Sequence, residues 1–210
     1  MSEVRVAVVD SCPITREGLR LVLGSLDVEV VGTAENVGDA LRLCLAHRPD
    51  VVLLGPSIPV VSLLGSLRIL HEQIPDARSV VFRVSEAADF AVRCMEAGAS
   101  GYLSSVRSSE ELATAVKTVA AGQGRFFSPA IFEQFTARAL GDDQPPHSRL
   151  SAREFEVFVL LGAGLTVGQA ATQLDISPKT VSTHRTRIRE KTGLSSTAEI
   201  VRYVLENSLV

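Results

Sequence analysis

The sequence is poor in cysteine and has no long apolar run. Its three cysteines, Cys12, Cys44 and Cys94, are odd in number and far apart in a chain of 210 residues. This spacing argues against a disulfide framework and against a zinc site, so we expect free thiols in packed or partly exposed positions. No apolar stretch approaches the roughly 18 residues of a membrane-spanning helix, and the first ten residues lack a secretory signal pattern. These absences predict a cytoplasmic protein that does not enter a membrane.

Signatures of enzymes are also missing. The sequence shows no glycine-rich phosphate loop, no nucleophile paired with a base, no internal repeat and no low-complexity tract. We therefore predict neither an enzyme nor a bound cofactor. The formal net charge of −3 is unevenly distributed, because residues 1–149 carry 14 lysines and arginines against 18 acidic residues, whereas residues 150–210 carry 7 against 6. The cations of the second part lie mostly in one short segment.

This segment, Leu174 to Lys191, has the pattern of a helix with one apolar and one cationic face. Ser177 can cap the helix through its hydroxyl, and Pro178 suits its first position. The residues that recur at the spacing of a buried face are Val181, Ile188 and Thr192. The candidate DNA-binding residues on the remaining surface are Lys179, Thr180, Ser182, Thr183, Arg185, Thr186, Arg187 and Lys191. Such cations would meet phosphates around a helix that enters the major groove; a solvated, charged surface helix is the alternative interpretation.

Two further helices precede this segment. Ser151, followed three residues later by Glu154, forms the pattern of a capping box at the start of a helix that should stop at Gly164. Thr166 can cap a second helix, and residues 175–176 then turn the chain into the cationic segment. Two short helices that meet at a tight turn predict a helix-turn-helix unit.

Residues 150–210 resemble the DNA-binding domain of the LuxR/NarL class of bacterial regulators. The matching positions are Leu150, Ser151, Arg153, Glu154, Glu156, Gly164, Leu165, Ala171, Leu174, Ile176, Ser177, Thr180, Val181, His184, Ile188, Lys191 and Gly193. The resemblance implies a fourth helix over roughly residues 196–206, which commonly forms the dimer contact in that family. Our candidates for this contact are Ile200, Tyr203 and Val204, for which packing in the core of the small domain is the alternative.

The resemblance places the cationic helix in the major groove, where its side chains divide into two groups. Those expected to bind mostly phosphates are Lys179, Arg187 and Lys191. Those expected at base edges are Ser182, Thr183 and Thr186, with DNA shape contributing because hydroxyls discriminate bases weakly. Family members often carry Lys at the position of Ser182, so this groove face is more hydroxylic than cationic. A dimer would meet successive grooves, which predicts an inverted or near-inverted repeat.

The first part of the chain alternates apolar runs with helical patterns. The strand candidates are Val4 to Val9, Val28 to Thr33, Val51 to Leu54, Ser79 to Phe82 and Gly101 to Leu103. Helical segments fill the intervals, and this rhythm predicts a doubly wound α/β fold with a parallel sheet. Its functional edge should lie at the carboxyl ends of the strands.

Segments 8–19, 48–55 and 95–103 resemble the receiver domain of response regulators, a flavodoxin-like fold, over about residues 3–122. Receivers transfer a phosphoryl group to an Asp at the end of the third strand, with Mg²⁺ held by acidic residues. The corresponding positions in this sequence are Asp10, Ser11, Gly55, Arg83 and Ser105. Glycine offers no nucleophile and a lone carboxylate is a poor magnesium site. The resemblance therefore implies a degenerate phosphorylation site without a metal.

Arg83 suggests what replaces the phosphoryl chemistry. Because strands one and four flank strand three in this fold, the guanidinium could reach Asp10 across Gly55 and form an ion pair. Alternatively, Arg83 points into solvent, or the alignment slips by two residues and places Ser85 at the hydroxyl position after strand four. Tyr102 occupies the position of the receiver's switch aromatic, and packing against the edge of the sheet is its simpler role.

The predicted layout has three parts: a degenerate receiver domain at 1–122, a connecting helix and linker at 123–149, and a helix-turn-helix domain at 150–210. Together they predict a transcription regulator that binds double-stranded DNA as a homodimer without aspartyl phosphorylation. Two alternatives stay open. The protein could act mainly through a heterodimer with a related regulator, or the vacated cleft could bind a small-molecule signal.

Overall fold

The structure is a computed structural model that describes residues 3–84, 88–104, 108–139, 145–207 and 209, with the backbone alone at 135 and 137–139. The chain divides into two compact units, Met1–Thr136 and Ala137–Val210. Within the described residues, no helix is both long and apolar enough to cross a membrane. Each unit has its own core and is built by different rules.

The first unit is built on a parallel sheet. Its strands are β1 (Val4–Val9), β2 (Val28–Ala34), β3 (Val51–Leu54), β4 (Arg78–Arg83), β5 (Ala99–Ser104) and β6 (Phe126–Phe127). They lie in the order β2-β1-β3-β4-β5-β6, and every neighbouring pair is parallel. The doubly wound α/β class is confirmed, and the five predicted strands agree with β1 to β5 to within two residues. The short edge strand β6 was not predicted.

Helices connect these strands. They are α1 (Pro13–Gly24), α2 (Val37–His47), α3 (Val60–Gln73), α4 (Ala88–Glu96) and α5 (Ser109–Ala120). Asn36 and Ser108 cap α2 and α5 by accepting hydrogen bonds from the backbone three residues ahead. All four residues of β3 are fully buried, as expected for a central strand that helices cover on both faces. The carboxyl ends of β1 and β3 thereby meet at one edge of the sheet.

The segment after α5 continues the first unit. β6 pairs with β5 through Gly101 and Tyr102, and α6 (Pro129–Ala139) follows. Ser128 is buried, and its hydroxyl accepts a hydrogen bond from the backbone N–H of Ser104 at 3.3 Å. The side-chain oxygen of Gln134 accepts from the N–H of Ala88, at the start of α4, at 3.3 Å. The segment predicted as a connecting helix is therefore attached to β5 and α4.

The end of the predicted connecting helix and linker lies partly outside the described residues. Its last residues, Pro146–Arg149, form one turn of 3₁₀ helix. His147 is buried, and its Nδ1 lies 2.8 Å from the hydroxyl of Tyr203. Proline suits the start of such a turn. The contact of the buried imidazole with Tyr203 joins the turn to the rest of the second unit.

The second unit contains four helices in its described part: α7 (Ala152–Gly162), α8 (Val167–Gln173), α9 (Pro178–Thr192) and α10 (Thr197–Glu206). The predicted capping box at Ser151 and Glu154 is present, and Thr166 forms a second one with Gln169. A Cβ atom on Gly162 would overlap the side chain of Val204, so this glycine permits α7 and α10 to approach closely. The helix-turn-helix class is confirmed.

Candidate nucleic-acid interface and receiver cleft

The helix α9 separates its buried and exposed faces as predicted. Val181 and Ile188 are fully buried, and Thr192 is almost so. Of the candidate DNA-binding residues, Ser182 and Arg185 are half-buried, and the exposed ones are Lys179, Thr180, Thr183, Thr186, Arg187 and Lys191. The structure thus brings the candidates together on one helix, where exposed hydroxyl side chains and exposed cations are interspersed.

The threonine hydroxyls on this face are hydrogen-bonded to the helix itself. Thr183 Oγ1 donates to the carbonyl of Lys179 at 3.0 Å, and Thr186 Oγ1 donates to the carbonyl of Ser182 at 3.2 Å. Thr180 Oγ1 lies 2.8 Å from the capping hydroxyl of Ser177. These contacts limit the rotation of each side chain and decide which of its atoms face outward.

Lys191 has a partner that the sequence analysis missed. Its Nζ donates to Glu154 Oε2 at 2.6 Å, and the Glu154 side chain is only 4% exposed. Burial opposes ionisation of Glu154, but hydrogen bonds from Lys191 and Ser151 outweigh it and lower the pKa of the carboxyl. That Lys191 mostly binds phosphate stays a prediction, and its ammonium in addition compensates a buried charge within the unit.

A second ion pair sets the position of the turn before α9. Arg153 Nη1 donates to Glu156 Oε2 at 2.7 Å, and its Nη2 donates to the carbonyl of Leu174 at 2.6 Å. Leu174 ends α8, and Asp175 then takes a left-handed conformation with φ of 52°. Arg153 therefore ties α7 to the turn that launches α9. The sequence analysis placed Arg153 and Glu156 among the matching positions but assigned them no role.

The dimer candidates on α10 lie differently from the prediction. Ile200 and Val204 are fully buried in the core of their own unit, and Tyr203 is half-buried with its hydroxyl against His147. The assignment of Ile200 and Val204 to a dimer contact is therefore corrected in favour of core packing, because a small helical unit needs them to bury α10. The apolar side chains that α10 leaves accessible include Val201, half-buried, and Leu205, 60% exposed.

At the sheet edge of the first unit, Asp10 leans over Gly55. The carboxylate is fully buried; its Oδ1 accepts from the N–H of Cys12 and its Oδ2 from the N–H of Ser57, each at 2.8 Å. A Cβ atom on Gly55 would overlap Asp10 Oδ2. The carboxylate therefore occupies the space that the side chain of an acceptor residue at position 55 would need.

The predicted ion pair between Asp10 and Arg83 is wrong. Arg83 Nη1 instead donates to the carbonyls of Pro56 and Ile58, at 2.9 and 2.7 Å, and its guanidinium lies 6.0 Å from the ring centre of Phe90. Backbone N–H groups satisfy the carboxylate and backbone carbonyls satisfy the guanidinium, so neither group needs the other. Ser85 and Ser105, the other candidates, lie outside the described residues.

Further contacts hold the loop after β3. Ser11 Oγ donates to the carbonyl of Ser57 at 2.8 Å, and Thr15 Oγ1 lies 3.3 Å from Ser57 Oγ. Tyr102 is fully buried and packs edge-on against Phe90, with ring centres 6.3 Å apart. Burial raises the pKa of the Tyr102 hydroxyl. The loop after β3 is therefore held by hydrogen bonds to Asp10 and Ser11, which follow β1, and to Arg83 of β4.

The cysteines are free thiols, as predicted. Cys44 and Cys94 are buried, and burial raises the pKa of the Cys44 thiol to about 11. Cys12 is half-buried beside the cleft, and hydrogen bonds from Thr15 and the backbone lower its pKa. Across the described part of the chain, no three or more His, Cys, Asp or Glu residues are grouped so that they could hold a metal ion.

A cavity of about 400 Å³ opens at the same edge of the sheet. It is lined on the apolar side by Val9, Val37 and Ile58, and on the polar side by Ser11, Asn36 and Ser66. Asp10, Gly55 and Arg83 do not line it. The small-molecule alternative placed a ligand in a cleft lined by these three residues and Ser105, where the structure has the Asp10 carboxylate packed over Gly55 and Ser105 lies outside the described residues.

The two units together define a response regulator with a DNA-binding output domain. Residues 6–117 match the family described as the response regulator receiver domain, and residues 148–204 match the bacterial regulatory proteins of the luxR family. The chain belongs to the LuxR-type response regulators, which are DNA-binding transcription factors.

Two curated relatives align with almost the whole chain. The response regulator GacA of Pseudomonas aeruginosa is 34% identical over 210 residues, which cover 99% of this chain and 98% of GacA. The transcriptional regulatory protein MctR of Rhizobium johnstonii is 30% identical over 209 residues, which cover 99% of this chain and 96% of MctR. The similarity to both relatives therefore spans the receiver-like and the helix-turn-helix parts of the chain.

Solved structures agree with this architecture. A LuxR-family two-component response regulator from Aurantimonas sp. SI85-9A1 is 30% identical, with a TM-score of 0.61 over 67% of this chain and 100% of that one. RcsB from Salmonella enterica serovar Typhimurium, bound to the promoter rprA, has a TM-score of 0.76 over 96% of this chain and 98% of its own. Because RcsB is only 19% identical, this similarity supports the fold and nothing beyond it.

Proposed function

We propose that this regulator recognises a two-fold-repeated DNA site as a dimer, and that its receiver domain works without aspartyl phosphorylation. The observation that carries the second part is the pairing of Gly55 with the buried carboxylate of Asp10. Glycine supplies no oxygen to attack a phosphoryl group. The space beside it is filled by a carboxylate whose two oxygens both accept backbone hydrogen bonds.

The remaining receiver chemistry is also unsupported at this edge. Magnesium in phosphoryl-transfer sites is held by one or two carboxylates together with phosphate and water. Here the second position of the acidic pair is Ser11, whose hydroxyl is bonded to the backbone of Ser57. Arg83, at the position of the phosphate-sensing hydroxyl, holds the carbonyls of the loop after β3. We infer a pseudo-receiver whose loop is fixed by internal hydrogen bonds.

For DNA binding we keep the division between phosphate and base contacts, in which Lys191 also pairs with Glu154. Lys179 and Arg187 are exposed, and within the described residues neither has an ion-pair partner, which suits them to phosphates. The candidates for base edges remain Ser182, Thr183 and Thr186, flanked by Thr180 and Arg185. DNA as the ligand is also the reason to place the protein in the cytoplasm.

A dimer contact is proposed for the outer face of α10. Val201 and Leu205 are four residues apart and lie on one side of the helix, beside the exposed ion pair of Arg202 with Glu206. Two copies joined there would present their α9 helices to successive major grooves. The domain division proposed with this is 1–122, 123–149 and 150–210.

Selection of DNA sites from a random pool by the purified full-length protein tests the proposal. Without any phosphodonor, we expect an inverted repeat and nanomolar affinity that falls steeply with salt. Addition of acetyl phosphate should leave the affinity unchanged. Sequence-blind binding would contradict autonomous recognition and point to a missing partner subunit or ligand, whereas a repeat that appears only with acetyl phosphate would contradict phosphorylation independence.

A further inference from the structure

We infer that Thr183 and Thr186 recognise the 5-methyl groups of thymine, so that the core of each half-site consists of A·T pairs. This rests on the proposed function, in which α9 enters the major groove. The starting observation is that both side chains are exposed while both hydroxyl protons point back to the helix, onto the carbonyls of Lys179 and Ser182.

A threonine hydroxyl has one proton and two lone pairs. When the proton is donated to the carbonyl four residues earlier, the side chain is held in one rotamer and has no donor left for a ligand. What remains for a DNA base is the Cγ2 methyl group and the acceptor side of Oγ1. At Thr183 and Thr186 the groove face of α9 therefore presents methyl groups and acceptors, while donors lie on other residues of the helix such as Ser182, Lys179 and Arg187.

The base pairs differ in how well they complement such a surface. In the major groove guanine presents two acceptors, N7 and O6, which repel an acceptor oxygen. Cytosine and adenine each present an amino donor, and thymine presents its methyl group. Of the two kinds of base pair, only A·T offers both an amino donor and a methyl group in the major groove. The two threonines should therefore select A·T pairs and disfavour guanine at the strand they face.

The spacing of the two threonines matches neighbouring pairs. Three residues along an α-helix rise about 4.5 Å and keep both side chains on one face. Base pairs are stacked about 3.4 Å apart, so the two methyl groups reach adjacent or next-but-one pairs. Both residues precede Arg187 and follow Lys179, which places the A·T core between the phosphates that these cations would contact.

The test replaces thymine by deoxyuridine, one position at a time, in the selected site. Removal of one contacted methyl group should weaken binding by the wild-type protein about fourfold, the effect of losing one buried apolar carbon. Thr183→Ser keeps the hydroxyl and removes the methyl group, so it should bind the thymine and uracil sites equally at one position. Thr183→Val keeps the methyl group, replaces the hydroxyl by a second methyl group, and should still prefer thymine. Thr186→Ser and Thr186→Val should repeat the pattern at the other position.

The outcomes separate the inference from the proposed function. Both threonines are exposed, so thermal unfolding of each variant should match that of the wild type and verify folding. An enriched site with G·C pairs in its core, or one on which uracil substitution has no effect at any position, keeps sequence-specific binding and overturns the inference. Failure to enrich any site overturns both.

Discussion

The two units treat charge in opposite ways. In the receiver cleft, the charged groups that survive are turned inward: Asp10 accepts from backbone N–H groups, and Arg83 donates to backbone carbonyls. On α9, Lys179 and Arg187 remain exposed and available to a polyanion. A charge satisfied by its own backbone has little left for an external ligand, whereas an exposed cation gains most when it meets one. The contrast is what we expect if α9 binds DNA while the cleft takes up no phosphoryl group, as proposed above.

The largest effect is expected from placing a carboxylate at position 55, which tests whether the cleft has room for a phosphoryl acceptor. Gly55→Asp places a Cβ atom on Asp10 Oδ2 and adds a second carboxylate to a buried edge, so we expect a loss of about 3 kcal/mol in the free energy of unfolding. Urea unfolding measures the loss. Incubation with acetyl phosphate and Mg²⁺, followed by mass spectrometry, should show no phosphorylation of the variant.

Two controls separate shape from charge. Gly55→Ala adds the overlap alone and should cost less, about 1–2 kcal/mol. Gly65→Ala adds a methyl group in α3 where nothing lies within 4 Å, and should be neutral or stabilising. A Gly55→Asp protein as stable as the wild type and readily phosphorylated would show that the cleft is open rather than closed.

Local signals in the sequence predicted much of the second unit and the central strands. Ser151, Glu154 and Ser177 form caps whose partners lie three residues away, so short-range chemistry decides them. The fully buried β3 was predictable because its four apolar residues recur in a regular alternation with helical segments, which is typical of a central parallel strand.

Contacts between distant residues were not predictable in the same way. Lys191 and Glu154 are separated by 37 residues, and Arg83 lies 25 and 27 residues from the carbonyls it binds. Neither pairing has a spacing signal, and the choice of Asp10 as the partner of Arg83 failed because backbone groups compete with side chains for a buried charge. The edge strand β6 was missed because two residues are too few to show periodicity.

The second prediction concerns Lys191. This cation of the DNA-binding unit is hydrogen-bonded within the protein, as Arg83 is in the receiver cleft. Lys191→Met leaves the buried carboxylate of Glu154 without its ammonium partner, and we expect a loss of about 1.5 kcal/mol, reduced from the value for a fully buried pair because Lys191 is partly exposed. Arg189→Met, a change at an exposed position two residues earlier on the same helix, is the matched control and should be nearly neutral.

The pH dependence of this loss has a definite sign. The pKa of Glu154 is lowered in the folded state, so the pair stabilises the protein above the unfolded-state pKa and the effect disappears as pH falls through the folded value. The difference between wild type and Lys191→Met should therefore be full at pH 7 and should shrink steadily as the pH falls below the ordinary range of a glutamate. A difference that persists in acid would assign the loss to packing of the lysine stem instead.

The smallest expected effect on stability is that of replacing Arg187, an exposed cation of α9. Arg187→Ala should leave the unfolding free energy unchanged within about 0.5 kcal/mol, because the side chain is exposed on α9. It should weaken binding to the selected site and to unrelated DNA by the same factor, since a phosphate contact carries no base information. The slope of log affinity against log salt should fall by about 1 for each subunit that loses the contact. Fluorescence anisotropy across a salt series measures both the affinity and its salt dependence. A loss of affinity confined to one base position would instead make Arg187 a base contact. The A·T core inferred for Thr183 and Thr186 would then have a guanine-binding arginine beside it.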